Sequence, residues 1–342
     1  MKKSFNEYKI LKSLISAEKK MNKIFFKTEF NYRKIVTDNF IVKNFDTKKI
    51  YKKKILDVNY YFNLKSYIAR SALLNPQKKP KYFFEPQTTK LLRIINDGVN
   101  DTIIAGAFIG DHACLLAKQN KKNKIYAFEP DKINFKFLKI NKNINKLNNL
   151  NIVNKCLYKN DSTFLQLEKN KSKDKDQAFI TSIKKRIAKK PNTTSIDSFL
   201  KKNKINNIRT IVADVEGNEF NILIGALKTL NTTCVNVIFE IHSSYLDFTK
   251  GILNLKIIKF LKNLNFTMYA IRDDHDNVGK YKKIELINLN KVFYKGPSHG
   301  FNILATKDKN ILNHRDVIIL NKTLSPKYLL YKKSFLFHPV IN

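Results

Sequence analysis

In a chain of 342 residues that holds only nine glycines, Gly106 and Gly110 fall within one five-residue turn, GAFIG. The turn stands between a short apolar run, TIIAGA (102–107), and a helical pattern, DHACLLAKQ (111–119). A strand ending at Gly106 and a helix opening at Gly110 place backbone N–H groups and a helix N-terminus at the carboxyl end of the strand. Bare glycine lets a ligand come close there, which makes Gly106, Ala107, Gly110 and the adjacent Asp111 candidate binding residues. Nineteen residues beyond Gly110, Glu129 and Pro130 close a second apolar run in FEPD (128–131). A carboxylate at that distance is placed to accept hydrogen bonds from both hydroxyls of a ribose, so turn and acid together point to a nucleoside-containing cofactor.

Further along, Asp214, Glu216, Glu240 and His242 end two apolar runs, TIVADV (210–215) and CVNVIFEIH (234–242). If those runs are neighbouring strands, the four side chains share one sheet edge, where transfer to a hydroxyl would need an aligned nucleophile and a group to take its proton. Histidine titrates near neutrality, so His242 is expected as the base, with Asp214 or Glu216 positioning the hydroxyl. The competing account is structural: Glu216 to Glu219 also opens a helix, where the dipole favours acids without any catalytic purpose. His299, in GPSHGF, is a second candidate base, whereas His112 reads as a helix-start residue. Four acid and imidazole groups so close could also hold a divalent metal, but their spacing matches no specific site and no metal ligand is assigned.

The elements that must carry these groups alternate. After KIYAF (124–128) comes the long helical DKINFKFLKINKNINKLN, and after TIVADV the helical NEFNILIGALKTL; NIVNKCLY (151–158) and TFLQL (163–167) are strand-like. The helix ILNLKIIKFLKNL (252–264) is followed by FTMYAIR (266–272) and GFNILATK (300–307). Strands buried on both faces and alternating with helices predict an α/β fold, a mostly parallel sheet with helices on both faces. The last two strands have no helix between them and are expected as an antiparallel edge pair. Residues 168–191 read as a charged, low-complexity loop with at most one helical turn. NPQKKPKYFFEPQTT (75–89) marks a boundary, giving three units: a basic, mainly helical appendage (1–81), a Rossmann-like domain (82–308) and a C-terminal extension (309–342).

GAFIG lacks the third glycine that a dinucleotide pyrophosphate requires, while S-adenosylmethionine needs only its ribose and adenine held and its sulfonium exposed. FEPQTT (84–89), the glycine turn, FEPD, TTSIDSFL (193–200), ADVEGNE (213–219) and FEIH (239–242), in that order, resemble the FkbM-type family of S-adenosylmethionine-dependent methyltransferases. The resemblance spans Tyr82 to His242, with a weaker echo in GFNIL (300–304). It implies a class I methyltransferase fold, cofactor contacts at Gly106, Gly110 and Glu129, and Asp214 and Glu216 at the methyl end. One departure stands out: the family's turn reads DVGANIG, whereas this chain has Ile104 for the aspartate and Phe108 for the asparagine. Weaker cofactor binding, compensation by a group such as Asp111, or loss of catalysis would each follow from it.

Composition bounds the rest. The chain is 43% hydrophobic and 12% aromatic, enough for a sizeable core and against a disordered protein. Its 65 Lys and Arg against 28 Asp and Glu give a formal charge of +37, spread through loops and helices alike. A nucleic-acid footprint is clustered, so nucleic acid is a possible partner but not the favoured one. Cys114, Cys156 and Cys234 form no CxxC pair, which excludes a disulfide framework or zinc knuckle and fits a reducing compartment. The sequence shows no apolar run long enough for a membrane span and no uninterrupted h-region near its start, so a cytoplasmic protein is expected. Phe5, Tyr8, Leu11, Leu14, Ile15 and Met21 recur at helical spacing; the helix they form is read as packed on its own domain, with peripheral membrane contact the alternative. The resulting expectation is an O-methyltransferase acting on a sugar, glycan or secondary metabolite. RNA methylation, which would show as salt-dependent affinity, and a catalytically silent binding module are the alternatives.

Overall fold

The computed structural model describes residues 10, 13–14, 16–17, 20–21, 33–73, 81–161, 163, 165–169, 178–182, 193–273, 283–295 and 300–327. Most of the amphipathic N-terminal helix, and His299, lie outside the described residues. The strands are β1 (Tyr51–Ile55), β2 (Val58–Phe62), β3 (Asp101–Ala105), β4 (Ile125–Phe128), β5 (Leu150–Val153), β6 (Cys156–Leu157), β7 (Leu165–Lys169), β8 (Ala178–Ser182), β9 (Thr193–Thr194), β10 (Ile208–Ala213), β11 (Asn236–His242), β12 (Thr267–Ile271), β13 (Ile284–Asn288), β14 (Gly300–Thr306) and β15 (Val317–Leu320). The helices are α1 (Asn39–Asn44), α2 (Tyr67–Leu73), α3 (Pro86–Asn96), α4 (Asp111–Gln119), α5 (Lys132–Ile144), α6 (Ile196–Lys202), α7 (Glu219–Ile224), α8 (Leu227–Thr232), α9 (Lys256–Asn263) and α10 (Lys309–Leu312).

Nine strands form the central sheet in the order β15-β13-β12-β14-β11-β10-β3-β4-β5. From β5 to β11 the pairings are parallel; β14 runs against both β11 and β12. Side chains alternate across this sheet. Ile103, Ile211, Val237 and Phe239 face a core built with α6 to α9, while Ile104, Val212 and Ile238 face a core built with α3 to α5. Two apolar faces explain why the central strands read as unbroken hydrophobic runs. The chain leaves β3 toward β4 and β5, then returns to the other side of β3 as β10. That reversal opens a cleft at the carboxyl ends of β3 and β10, where open α/β sheets bind ligands.

The α/β sheet with helices on both faces is present as expected, including the antiparallel pair β12 and β14. That pair does not form the edge: β13, which the sequence reading passed over, and β15 extend the sheet beyond it. The sheet thus runs past the expected domain end at 308. Helix prevails among the described residues before 82, but the segment also holds a hairpin that the sequence reading did not foresee, formed by β1 and β2. Tyr60 and Phe62 of the hairpin are fully buried against Phe83, with ring centroids 5.0 and 5.7 Å away. Two asparagines, Asn141 within α5 and Asn145 at its C-terminal cap, fasten the hairpin. Asn145 accepts from Asn59 N–H and donates to Asn59 O, both at 2.7 Å, and Asn141 does the same at Tyr61 at 2.7 and 3.2 Å. β7 falls largely on the expected strand TFLQL and pairs antiparallel with β8, which stands in the stretch expected as a loop. No helix among the described residues is long and apolar enough to cross a membrane.

Candidate active site

Both glycines of the turn lie in the left-handed region, and packing demands them. A Cβ on Gly106 (φ +77°) would lie 1.9 Å from the backbone oxygen of Asp214, so the exit of β3 runs hard against the exit of β10. A Cβ on Gly110 (φ +92°) would meet Cys114 Sγ at 2.7 Å and Leu138 Cδ1 at 2.8 Å, blocking the contact of α4 with α5. The turn's amides are not left open for a ligand as the sequence reading supposed. Gly106 and Ala107 N–H both donate to Phe128 O, at 3.0 and 2.9 Å, and Gly110 N–H donates to Ala107 O at 2.7 Å.

Glu129 turns toward this bend. Its Oε2 accepts from Phe108 N–H and its Oε1 from Asp131 N–H, each at 2.8 Å. The side chain is buried, and burial pushes its pKa up to about 8 despite those two hydrogen bonds. The Asn134 side chain also hydrogen-bonds this carboxylate, which leaves acceptor capacity for one further donor such as a ribose hydroxyl. Pro130 leads into Asp131, which caps α5 by accepting from Ile133 and Asn134 N–H at 2.8 and 3.0 Å. Phe108, at φ +46°, lines a small cavity with Phe62, Ile109, Ile133 and Phe137, in the layer shared with the N-terminal hairpin and α5.

The DVEG segment continues β10 as a strained turn, with Glu216 at φ +57° and Gly217 at φ +99°. Glu219 holds the turn by accepting from Val215 and Gly217 N–H at 3.0 and 3.1 Å, and burial raises its pKa to about 7. Carboxylate oxygens of Asp214, Glu216 and Glu240 then lie within 4.8 Å of one another. Glu240 is raised well above its usual range by burial and by the fields of Glu216 and Glu85, with Lys327 opposing. Asp214 is raised too, by desolvation and then by the fields of Glu240, Glu85, Glu216 and Glu219. Asp214 is an exposed residue, so the repulsion of its acidic neighbours carries the shift. Three oxygens this close can accept hydrogen bonds from a polyol, share a proton or surround a small cation.

His242 stands differently from expectation. Its Nδ1 accepts from Ser244 N–H at 2.9 Å, which leaves the proton on Nε2 and makes that atom a donor. Burial and Lys327 lower its pKa to about 4. A ring this reluctant to take a proton is a weak general base. Tyr245 lies beside it, with ring centroids 5.3 Å apart. Glu240 and His242 cross the first residue of β14: a Cβ on Gly300 would come within 2.1 Å of Glu240 Oε1 and 2.5 Å of His242 Cδ2.

Several residues of the cleft had no assigned role in the sequence reading. Glu85, from FEPQTT, is 3% exposed and accepts from Asn302 Nδ2 at 2.8 Å; His112 Nε2 lies 3.8 Å from the same oxygen. His112 also faces Asp111 Oδ2 at 3.9 Å and Thr89 Oγ1 at 3.3 Å, so it is more than a helix-start residue. Asp111 and Glu85 outweigh burial and raise the His112 pKa, whereas burial raises that of Asp111. FEPQTT and GFNIL, noted only as parts of a resemblance, were the signal for this group.

Residues 105–268 match the model of the Methyltransferase FkbM domain. No curated protein matches the chain significantly. Among solved structures the chain is similar to a precorrin-6y C5,15-methyltransferase from Geobacter metallireducens GS-15, at 11% identity and a TM-score of 0.36 over 65% of this chain and 89% of that one. It is also similar to an rRNA methylase from Streptococcus thermophilus, at 11% identity and 0.35 over 64% and 93%. A third similar structure is a Pyrococcus abyssi tRNA (uracil-54, C5)-methyltransferase in complex with S-adenosyl-L-homocysteine, at 9% identity and 0.35 over 75% and 43%.

Proposed function

We propose, from the premise that residues 105–268 belong to the methyltransferase FkbM family and that the methyl donor is S-adenosylmethionine, that this protein methylates a hydroxyl of a sugar, glycan or secondary metabolite. The observation that carries the reading is the trio of carboxylates, Asp214, Glu216 and Glu240, gathered within 4.8 Å at the carboxyl ends of β10 and β11. Hydroxyl groups donate to such oxygens, and a polyol offers several donors at once. A phosphate backbone would be repelled from them, although the chain as a whole carries +37. The charge therefore speaks less for RNA than the total suggests.

The residues present fit the cofactor. Glu129, beside the glycine turn, has acceptor capacity left for a ribose hydroxyl, and the acids of the cleft suit a ligand that carries positive charge. When bound, the cofactor supplies an electrophilic methyl group. The chain's own part is to orient the acceptor and receive its proton. Asp214 and Glu240, both raised, are the proton acceptors we assign in place of His242. His242 Nε2–H then orients an acceptor oxygen by donating to it, and Tyr245 walls the cleft. Deprotonation of one acid of a repelling pair leaves the other protonated, so the pair titrates as a unit.

The test is mass spectrometry of glycans and small metabolites from cells with and without the protein. A mass increase of one CH₂ unit that disappears in a Glu129→Ala variant supports the reading, and a signal unaffected by that variant removes the cofactor assignment.

A further inference from the structure

S-adenosylmethionine and its demethylated product differ by one formal positive charge on sulfur. A protein distinguishes them electrostatically only through what it places near that charge. Resting on the reading above, we propose that Glu85 is a specificity-determining residue for the cofactor: with Asp214 and Glu240 it makes the cleft favour the charged methyl donor over the neutral product.

The backbone argument comes first. Glu85 occupies the position just before α3 in a left-handed conformation, φ 45° and ψ 76°, which a glutamate adopts only at a cost. Acids at this position normally accept from the first N–H groups of the helix. Glu85 makes no such bond. Asp273, from the end of β12, does that work instead, accepting from Gln87 N–H at 3.0 Å, Thr88 N–H at 2.7 Å and Thr88 Oγ1 at 2.8 Å. The strained backbone thus sends the Glu85 carboxylate inward, where Asn302 fixes it at 2.8 Å, and its negative field reaches Asp214, Glu240, Asp111 and Asp273.

The charges around it are lopsided. Facing this region are Asp111 and His112 of α4, Asp214, Glu216 and Glu219 beyond β10, Glu240 and His242 of β11, Tyr245, Asp273 and Lys327. His112 and Lys327 are the cations of that set, and His242 is neutral at physiological pH. An excess of carboxylates is relieved by a cation and is little affected by a neutral sulfur. Glu85 is 3% exposed, so its part of the interaction is only weakly screened by salt. Methyl transfer removes the charge, so the product loses the attraction that held the donor.

Isothermal titration of the full-length protein tests this with three ligands: S-adenosylmethionine, sinefungin, whose ammonium replaces the methyl-sulfonium, and S-adenosylhomocysteine. The expected result is that both charged ligands bind at least about tenfold tighter than S-adenosylhomocysteine. In Glu85→Gln that gap should shrink to about threefold or less, with affinity for the neutral product unchanged. A merely structural Glu85 would weaken all three ligands together, and that outcome overturns the proposal, as does an unchanged gap. Should Glu85→Gln fail to fold, the wild-type comparison decides: equal affinity for charged and neutral ligands overturns the proposal while leaving the methyltransferase reading in place. Absence of binding by all three overturns both.

Discussion

Glu129 joins an unusual pair of properties, burial and a carboxylate ringed by backbone donors, and its raised pKa makes it a stability term as well as a ligand group. A folded-state pKa of about 8 against the ordinary glutamate value of 4.5 favours the folded chain at low pH, where the group is protonated in both states. That contribution declines as the pH rises from the unfolded value through the folded one. Glu219, raised to about 7, adds to the same decline. Thermal melts should therefore show stability falling between pH 5 and 8, and Glu129→Gln should flatten that limb; a variant curve parallel to the wild type would show that Glu129 stays ionised in the fold. His242 acts in the opposite direction, since a pKa lowered to about 4 removes stability as the pH falls below the ordinary histidine value. Gly300→Ala separates site from fold. The added Cβ would meet the Glu240 carboxylate and the His242 ring rather than backbone, so methyl transfer should fall sharply while the melting temperature falls only modestly.

At the scale of elements, close approach does what side chains cannot. The exits of β3 and β10 touch through Gly106, and Gly106→Ala adds left-handed strain to overpacking against a backbone oxygen, together roughly 2–5 kcal/mol. Loss of soluble folded protein is the expected outcome, measured by denaturant unfolding of whatever is recovered. The hairpin of β1 and β2 depends on the asparagine clamps of α5. Asn141→Ala leaves the N–H of Tyr61 and the carbonyls of Tyr61 and Ile109 without their partner, and should cost about 1–3 kcal/mol, read as a shifted denaturation midpoint. These contacts were not legible in the sequence, because an asparagine that mimics a strand edge has no periodicity and this chain is rich in asparagine throughout. The central strands were legible for the opposite reason. Burial on both faces writes itself as unbroken apolar runs, whereas β13 and β15, near the sheet's edge, carry a weaker signal. His242 shows the limit for single residues: its place at the end of β11 could be read, but the Ser244 N–H that fixes its tautomer could not.

For the whole molecule, the contrast that matters lies between a chain of net charge +37 and a cleft lined with acids. Charge spread over every segment predicts weak, non-specific adhesion to polyanions, lost steeply between low and moderate salt, while cofactor binding in the recessed cleft holds nearly constant. RNA filter binding and cofactor titration over the same salt series check both halves. The +37 in the composition gave no hint of an acidic pocket, since a handful of carboxylates in sequence-distant segments disappear in a total. Only the fold brings Glu85, Asp214 and Glu240 to one sheet edge. The central claim is that the turn at Gly106 and the carboxylate of Glu129 bind S-adenosylmethionine, and titration calorimetry of wild type against Glu129→Ala tests it most directly. Saturable one-to-one binding that the variant loses while still folded is the predicted result; no binding to the wild type, or equal binding to both, would contradict it.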